Sequence, residues 1–248
     1  MTKGRGYTTH SASNPLRLFD FERRSACPTR VVIEILPCGV CHSDVHNARN
    51  DWGHSLYPMV PGHEIVGCAL EVAADVNRFM VGDSVGVGCK VDSCQTCAAC
   101  SNGLEQYYDT GAHNAVDSHD GLPIFGGYSD RIVVSGQFVL RIPDRPDRPD
   151  RKGTAPLLCA GITTWSPLRH WNVVQGSKVT VIGLGGLGYM ALKLAKALGA
   201  DVTLRTRSPG KEAAGRRLGA DHVIVSTNAA HMATVAGKFD LLIDTVPY

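Results

Sequence analysis

Residues 179–200, VTVIGLGGLGYMALKLAKALGA, constrain the fold more tightly than any other part of the chain. A β-rich run ends at Ile182, and Gly183, Gly185 and Gly188 follow in GxGxxG spacing. A helix is expected from about Leu187, with Leu187, Ala191, Leu194 and Leu198 on its apolar face and Gly199 closing it. Gly183 permits the tight turn, Gly185 lets a pyrophosphate approach the backbone, and Gly188 lets the helix sit close on the strand. Free N–H groups at the helix start favour phosphate charge. Together with Leu184, Gly186 and Leu187, these glycines form a candidate cofactor-binding turn. A glycine-rich turn without a ligand is the alternative, but bracketing by strand and amphipathic helix favours the dinucleotide site.

The rest of the chain changes character around this motif. From about Val31 to Arg141, short β-rich runs (VVIEIL, EIVGCALEV, DSVGVG, RIVV, FVLRI) alternate with Gly, Pro and Asp turns, the texture of an antiparallel or barrel-like domain. The charged, proline-spaced stretch PDRPDRPDRKG from Pro143 is read as an exposed loop, because its prolines exclude a helix or central strand. Strands and helices then alternate: Lys178–Ile182, the glycine-motif helix, Val202–Arg205, a helix near Lys211–Leu218, His222–Val225 and Phe239–Ile243. Such alternation implies a parallel sheet with crossover helices.

An NAD site wants a carboxylate at the end of the second strand, about 20 positions past the glycines, for the ribose hydroxyls. Arg205, Thr206, Arg207, Ser208 and Lys211 stand there instead. Cations and hydroxyls suit a 2′-phosphate, so NADP(H) is favoured over solvated loop charges.

A chain of 248 residues with 44% hydrophobic content can form two domains of ordinary size. Its net charge of +2, with both signs scattered, points to neither nucleic acid nor a membrane as partner. Met1–His10 carries no apolar core of signal-peptide length, so a cytoplasmic location is expected. Nine cysteines in such a setting stay reduced, and the clustered ones read as metal ligands. Cys27, Cys38 and Cys68, in or beside apolar runs, read as packing residues. Cys94, Cys97 and Cys100 recur at three-residue spacing, and Cys41, His63, Glu64 and Cys159 each stand in a distinctive local motif. Two thiolates and one imidazole are a ligand set for catalytic zinc, with a fourth position left for water or substrate.

The segments GVCHSDVH, VPGHEIVG, VGVGCKVDSC, PLLCAGITTWSPLRHW and VIGLGGLG together resemble the zinc-containing medium-chain alcohol dehydrogenases, in their cinnamyl-alcohol-dehydrogenase-like branch. The similarity runs from about Asn14 to Thr245. It implies an α/β plus β chain: a barrel-like (GroES-like) zinc-binding catalytic domain over residues 1–155, then a partial Rossmann parallel-sheet domain over 156–248, with the active site in the cleft between them. It further implies that Cys41, His63 and Cys159 hold a catalytic zinc and that Glu64 approaches or ligates the metal when substrate is absent. Ser43 would take the alcohol proton, His46 would pass it onward, and Asp44 would orient a ligand histidine. Thr163 matches a cofactor contact of the family. The implied activity is hydride transfer between primary alcohols and aldehydes (aryl, allylic or aliphatic) and NADP(H), in a family whose intact members are expected to be homodimers. Trp52, Cys89 and Trp165 are candidate pocket walls, the alternative being ordinary core aromatics and a packing thiol.

Three features depart from the family pattern. The structural zinc lobe of the family has four cysteines, but Tyr108 stands at the eighth position after Cys100, where the fourth belongs. A phenol is a poor substitute for a thiolate in a closed tetrahedral site. Asp109 and His113 are the alternatives for completing that shell; failing both, the lobe binds zinc weakly or stays loose. Secondly, the proline-spaced stretch Asp144–Arg151 carries about one extra DRP unit and replaces an apolar approach to Cys159. Thirdly, family members continue past the position that matches Tyr248, so a C-terminally truncated chain is expected. This leaves a second reading, a non-catalytic remnant that binds zinc and cofactor without turnover.

Overall fold

The computed structural model describes residues 2–23, 28–108, 123–144 and 151–246. It divides into two compact units, Met1–Cys159 and Ala160–Tyr248. Cys27, Asp109, His113 and positions 145–150 of the proline-spaced stretch lie outside the described residues.

The first unit opens with an antiparallel pair, β1 (Thr2–Thr8) and β2 (Arg17–Arg23). The sequence reading missed this hairpin, and the reason is steric. The inward positions of β1 are glycines: a Cβ on Gly4 would stand 2.8 Å from the Phe21 ring, and one on Gly6 would press on the Tyr128 carbonyl at 2.7 Å. Alternation of apolar and polar residues is therefore invisible in β1, although its burial alternates.

A five-stranded antiparallel sheet follows, built from β3 (Arg30–Cys38), β4 (Ile65–Val72), β5 (Ser84–Val87), β6 (Arg131–Ser135) and β7 (Leu140–Arg141), in the order β6-β3-β4-β5-β7. Each coincides with a run identified from sequence, although β3 runs past VVIEIL at both ends and β6 past RIVV by one residue. The main core gathers Val31, Ile33, Ile65, Val85, Val87, Ile132 and Val134 on one face. Val66, Ile142, Ala155 and Leu158 cover the other face near β4 and β5, which is why all four residues of β5 are buried. Cys38 packs against the main core, and Cys68 is half-buried. The helix α1 (His42–Arg49) leaves β3, and α2 (Ala98–Ser101) lies in the cysteine-rich lobe.

Arg151–Leu158 form a 3-10 helix, so the end of the charged stretch, Arg151–Gly153, is helical rather than loop. Beyond Arg151 the prolines are spaced widely enough for tight turns to close.

The second unit holds a four-stranded parallel sheet of β8 (Lys178–Ile182), β9 (Asp201–Thr206), β10 (His222–Val225) and β11 (Leu241–Asp244), in the order β10-β9-β8-β11. The order reverses between β8 and β11, where open α/β sheets bind ligands beyond their strand ends. Its helices are α3 (Ala160–His170), α4 (Gly186–Ala197), α5 (Glu212–Arg217) and the short α6 (Ala229–Ala233). The sequence pattern did not foresee α3, because Ile162, Thr163, Thr164 and an internal Pro167 weaken its helical signal. Leu168 holds it in place from the core. In α4 the fully buried stripe is Gly188, Ala191, Leu192 and Ala195, while Leu187, Leu194 and Leu198 flank it half-buried. The expected face is thus rotated toward the small residues, which let α4 approach the sheet. Among the described residues no helix is long and apolar enough to cross a membrane.

Candidate functional site

The β3–β4 ladder brings the first two candidate ligands together. Its last pair is Cys38 with Ile65, and the Gly39 amide donates to the Glu64 carbonyl at 2.9 Å. Cys41 thus lies three residues beyond one paired end and His63 two residues before the other. Glu64 is buried, and a Cβ at Gly39 would overlap its carboxylate, so glycine is needed there.

Cys159 arrives from the other side, at the end of the Arg151–Leu158 turn. Leu158 and Ala155 seat that turn on Val66 and Ile142. The VGVG run makes room: a Cβ on Gly86 would be 2.8 Å from Ile142, and one on Gly88 would be 2.9 Å from the Leu158 carbonyl. The Gly88 contact is with backbone, which cannot swing away. Gly88→Val is therefore expected to push Cys159 out of place, costing about 1–3 kcal/mol of stability and most of the bound zinc. Thermal melts with metal analysis check this, and unchanged zinc retention would contradict it.

The result is a four-residue cluster. Ligand atoms of Cys41, His63, Glu64 and Cys159 all lie within 4.8 Å of one another. The Cys41 and Cys159 sulfurs are 3.8 Å apart. Asp44, buried on α1, holds the imidazole from behind, with Oδ1 3.0 Å from His63 Nδ1. That leaves Nε2 for the cluster.

The electrostatics call for a cation. Hydrogen bonds from Cys159 and His63 lower the Cys41 thiol to about 3, against its burial. Burial opposes charge on His63, but Asp44 and the Cys41 thiolate outweigh it and raise the imidazole to about 10. Burial and the Cys41 charge push Glu64 up, and the Cys159 thiol is pushed up chiefly by its hydrogen bond to Cys41. A proton on His63 and one between the sulfurs stand where a divalent metal would supply the charge. The donor set, two sulfurs and one imidazole with a fourth group nearby, fits zinc.

Ser43 and His46 lie three residues apart on α1, both half-buried, while Asp44 turns inward. Ser43 Oγ is 3.6 Å from Cys41 Sγ. His46 Nδ1 pairs with Asp51 at 2.7 Å, and its ring lies 5.3 Å from that of Trp52. Trp52, Trp165 and Cys89 are all exposed, so the alternative of core packing does not hold. Two groups escaped the sequence reading. Asp51 lies five residues past His46, beyond the end of α1 and off the helical i+3/i+4 spacing, and Tyr128 reaches Asp44 from a glycine pair, Gly126-Gly127, that reads as an ordinary turn.

Cys94, Cys97 and Cys100 form a second cluster within 4.8 Å. Among the described His, Cys, Asp and Glu residues no fourth donor joins it. Backbone and side-chain hydrogen bonds from Thr96 lower Cys94 to about 6.

In the second unit, a pocket of about 750 Å³ opens at the ends of β8, β9 and β11. Gly183, Leu184, Gly185, Thr206, Arg207, Ser208 and Lys211 line it, together with Arg205. Ser226 and Asp244–Val246 line it too, and only the fold could bring these in. Gly183 has φ +92°, a Cβ on Gly188 would overlap the Gly183 carbonyl, and open space lies over Gly185. Lys211 Nζ bonds the Leu184 carbonyl at 3.1 Å, tying the basic loop to the glycine turn. Gly186, Leu187 and Gly188, in α4, are not among its lining residues, and Thr163 is exposed on α3 outside that lining.

Comparison with known proteins agrees across the chain. Residues 27–144 match the profile of the alcohol dehydrogenase GroES-like domain, and residues 186–248 match that of the zinc-binding dehydrogenases. The NADP-dependent alcohol dehydrogenase C 1 of Mycolicibacterium smegmatis is 50% identical over 97% of this chain and 69% of its own length. The aldehyde reductase YahK of Escherichia coli is 49% identical over 96% of this chain and 68% of its own. Among solved structures, a cinnamyl alcohol dehydrogenase of Sorghum bicolor superposes with a TM-score of 0.92 at 45% identity, covering 99% of this chain and 70% of that one. A Helicobacter pylori enzyme of the same name, complexed with NADP(H), gives 0.90 at 39% identity, with 99% and 70% covered.

Proposed function

This chain belongs to the zinc-containing medium-chain alcohol dehydrogenases, in their cinnamyl-alcohol-dehydrogenase-like branch, and we propose that it interconverts primary alcohols and aldehydes with NADP(H). The observation that carries this is the convergence of Cys41, His63, Glu64 and Cys159 with Asp44 behind the imidazole.

Cys41, His63 and Cys159 would hold zinc, and Glu64 would approach it when substrate is absent. Zinc supplies Lewis acidity that polarises a carbonyl or lowers an alcohol's pKa, and the nicotinamide supplies or accepts hydride. The chain's own residues do the rest. Asp44 fixes the tautomer and aim of His63. Ser43 accepts the alcohol proton, and His46, steadied by Asp51, passes it outward along the exposed side of α1. Gly185 admits the pyrophosphate, while Arg207, Ser208 and Lys211 take the 2′-phosphate by charge-assisted hydrogen bonds. The exposed Trp52 would give aryl or allylic aldehydes an apolar surface. A reading as a binder without turnover has less support: the relatives are named as dehydrogenases and reductases, and Ser43 Oγ lies 3.6 Å from the Cys41 sulfur.

The test is NADPH oxidation with cinnamaldehyde and benzaldehyde before and after chelation. Turnover that is lost to the chelator and restored by zinc is expected. Turnover indifferent to the chelator would overturn the reading.

A further inference from the structure

The side chain of Asp44 takes four hydrogen bonds. Oδ1 receives the Gly62 amide at 2.9 Å and His63 Nδ1 at 3.0 Å. Oδ2 receives the Cys41 amide at 2.9 Å and the Tyr128 hydroxyl at 2.9 Å. The first three donors lie in or beside the two ligand loops. Tyr128 comes from elsewhere in the chain, and its hydroxyl donates to Asp44.

We infer that Tyr128 is a positioning residue for the metal centre: its hydroxyl fixes the second Asp44 oxygen and so holds the carboxylate in the orientation that aims His63. The inference rests on the assignment of Cys41, His63 and Cys159 as zinc ligands.

The terminal torsion of an aspartate is broad, so the carboxylate plane is set by the bonds its two oxygens receive, and each bond lost loosens it. Without Tyr128, the outer oxygen would keep a single backbone amide. The position of the hydroxyl is itself well determined. Gly126, Gly127 and Tyr128 pair by backbone with Val60, Gly62 and Pro61 at 2.7–2.9 Å, which fastens this segment to the loop that delivers His63. Gly127 must be glycine, since a Cβ there would stand 2.6 Å from the Cys38 sulfur. Arg23 of β2 adds a clamp, donating to the Phe125 carbonyl at 2.8 Å and to Ser129 Oγ at 2.9 Å while its guanidinium lies over the Phe21 ring. The Tyr128 ring packs against Phe21, Val60 and Phe125. The N-terminal hairpin thus braces the metal centre through one phenol.

Packing and positioning separate experimentally, because Tyr128→Phe keeps the ring and removes only the hydroxyl. Zinc affinity is measured by chelator competition for the metal that Cys41→Ser abolishes, and ligand geometry by the visible spectrum of the cobalt-substituted protein. Tyr128→Phe is expected to weaken zinc binding roughly tenfold and to shift the cobalt bands, with little change in melting temperature. In an Asp44→Asn background the same substitution should do nothing further. An unchanged zinc affinity and cobalt spectrum, or an equal loss in both backgrounds, would overturn the inference. If Cys41→Ser abolished no zinc binding, it is the ligand assignment that would fall.

Discussion

His63→Ala is expected to yield a folded protein that has lost the zinc of this centre and at least about a thousandfold of its kcat/KM. The size follows from what the metal does: stabilising charge on a reacting oxygen is worth several kcal/mol, and each 1.36 kcal/mol is tenfold in rate. Removing His63 also leaves the buried Asp44 carboxylate without its imidazole partner, and burial opposes its charge. Some loss of stability should accompany the loss of metal. The pH dependence of metal uptake has a defined sign. His63 holds its proton up to about 10 in the metal-free protein, and Cys159 holds its own more tightly than a free thiol. Zinc binding at neutral pH must displace those protons, so affinity rises with pH and falls below neutrality. Metal analysis and titrations from pH 6 to 8 read both effects; full zinc content in His63→Ala, or affinity independent of pH, would contradict the ligand set.

The second large effect concerns the cofactor. Replacing Arg207 and Lys211 together by alanine should weaken NADPH binding about a hundredfold and alter NADH binding little. A hydrogen bond to a charged group contributes about 1.5–3 kcal/mol, and exposure of both side chains places the pair at the low end of that range. The single variants should differ. Arg207→Ala should act on NADPH alone, whereas Lys211 also bonds the Leu184 carbonyl, so Lys211→Ala should slightly weaken both cofactors. Dissociation constants from nucleotide fluorescence separate these outcomes. Equal losses for NADH and NADPH would mean that the basic loop supports the glycine turn and does not read the phosphate.

How much of this was legible in the chain depends on the range of the interaction. The glycine motif declares itself because turn, phosphate approach and helix packing all act within a few residues, at Gly183, Gly185 and Gly188. Cys41 and His63 could be named from their local motifs, but their convergence depends on the β3–β4 register, which no window of sequence contains. The N-terminal hairpin stayed hidden because glycines fill its inward positions, and α3 because β-branched residues and Pro167 mask a helix that Leu168 secures from the core. Tyr128 and Asp51 escaped for a different reason. Each matters through one hydrogen bond to another polar side chain, and such pairing leaves no periodic trace.

The central claim is the site of the metal, and an anomalous difference map from crystals of the purified protein, recorded at the zinc absorption edge, tests it most directly. A peak is predicted about 2.3 Å from the sulfurs of Cys41 and Cys159 and about 2.0–2.1 Å from Nε2 of His63. Zinc found only among Cys94, Cys97 and Cys100, with nothing between Cys41, His63 and Cys159, would contradict the account.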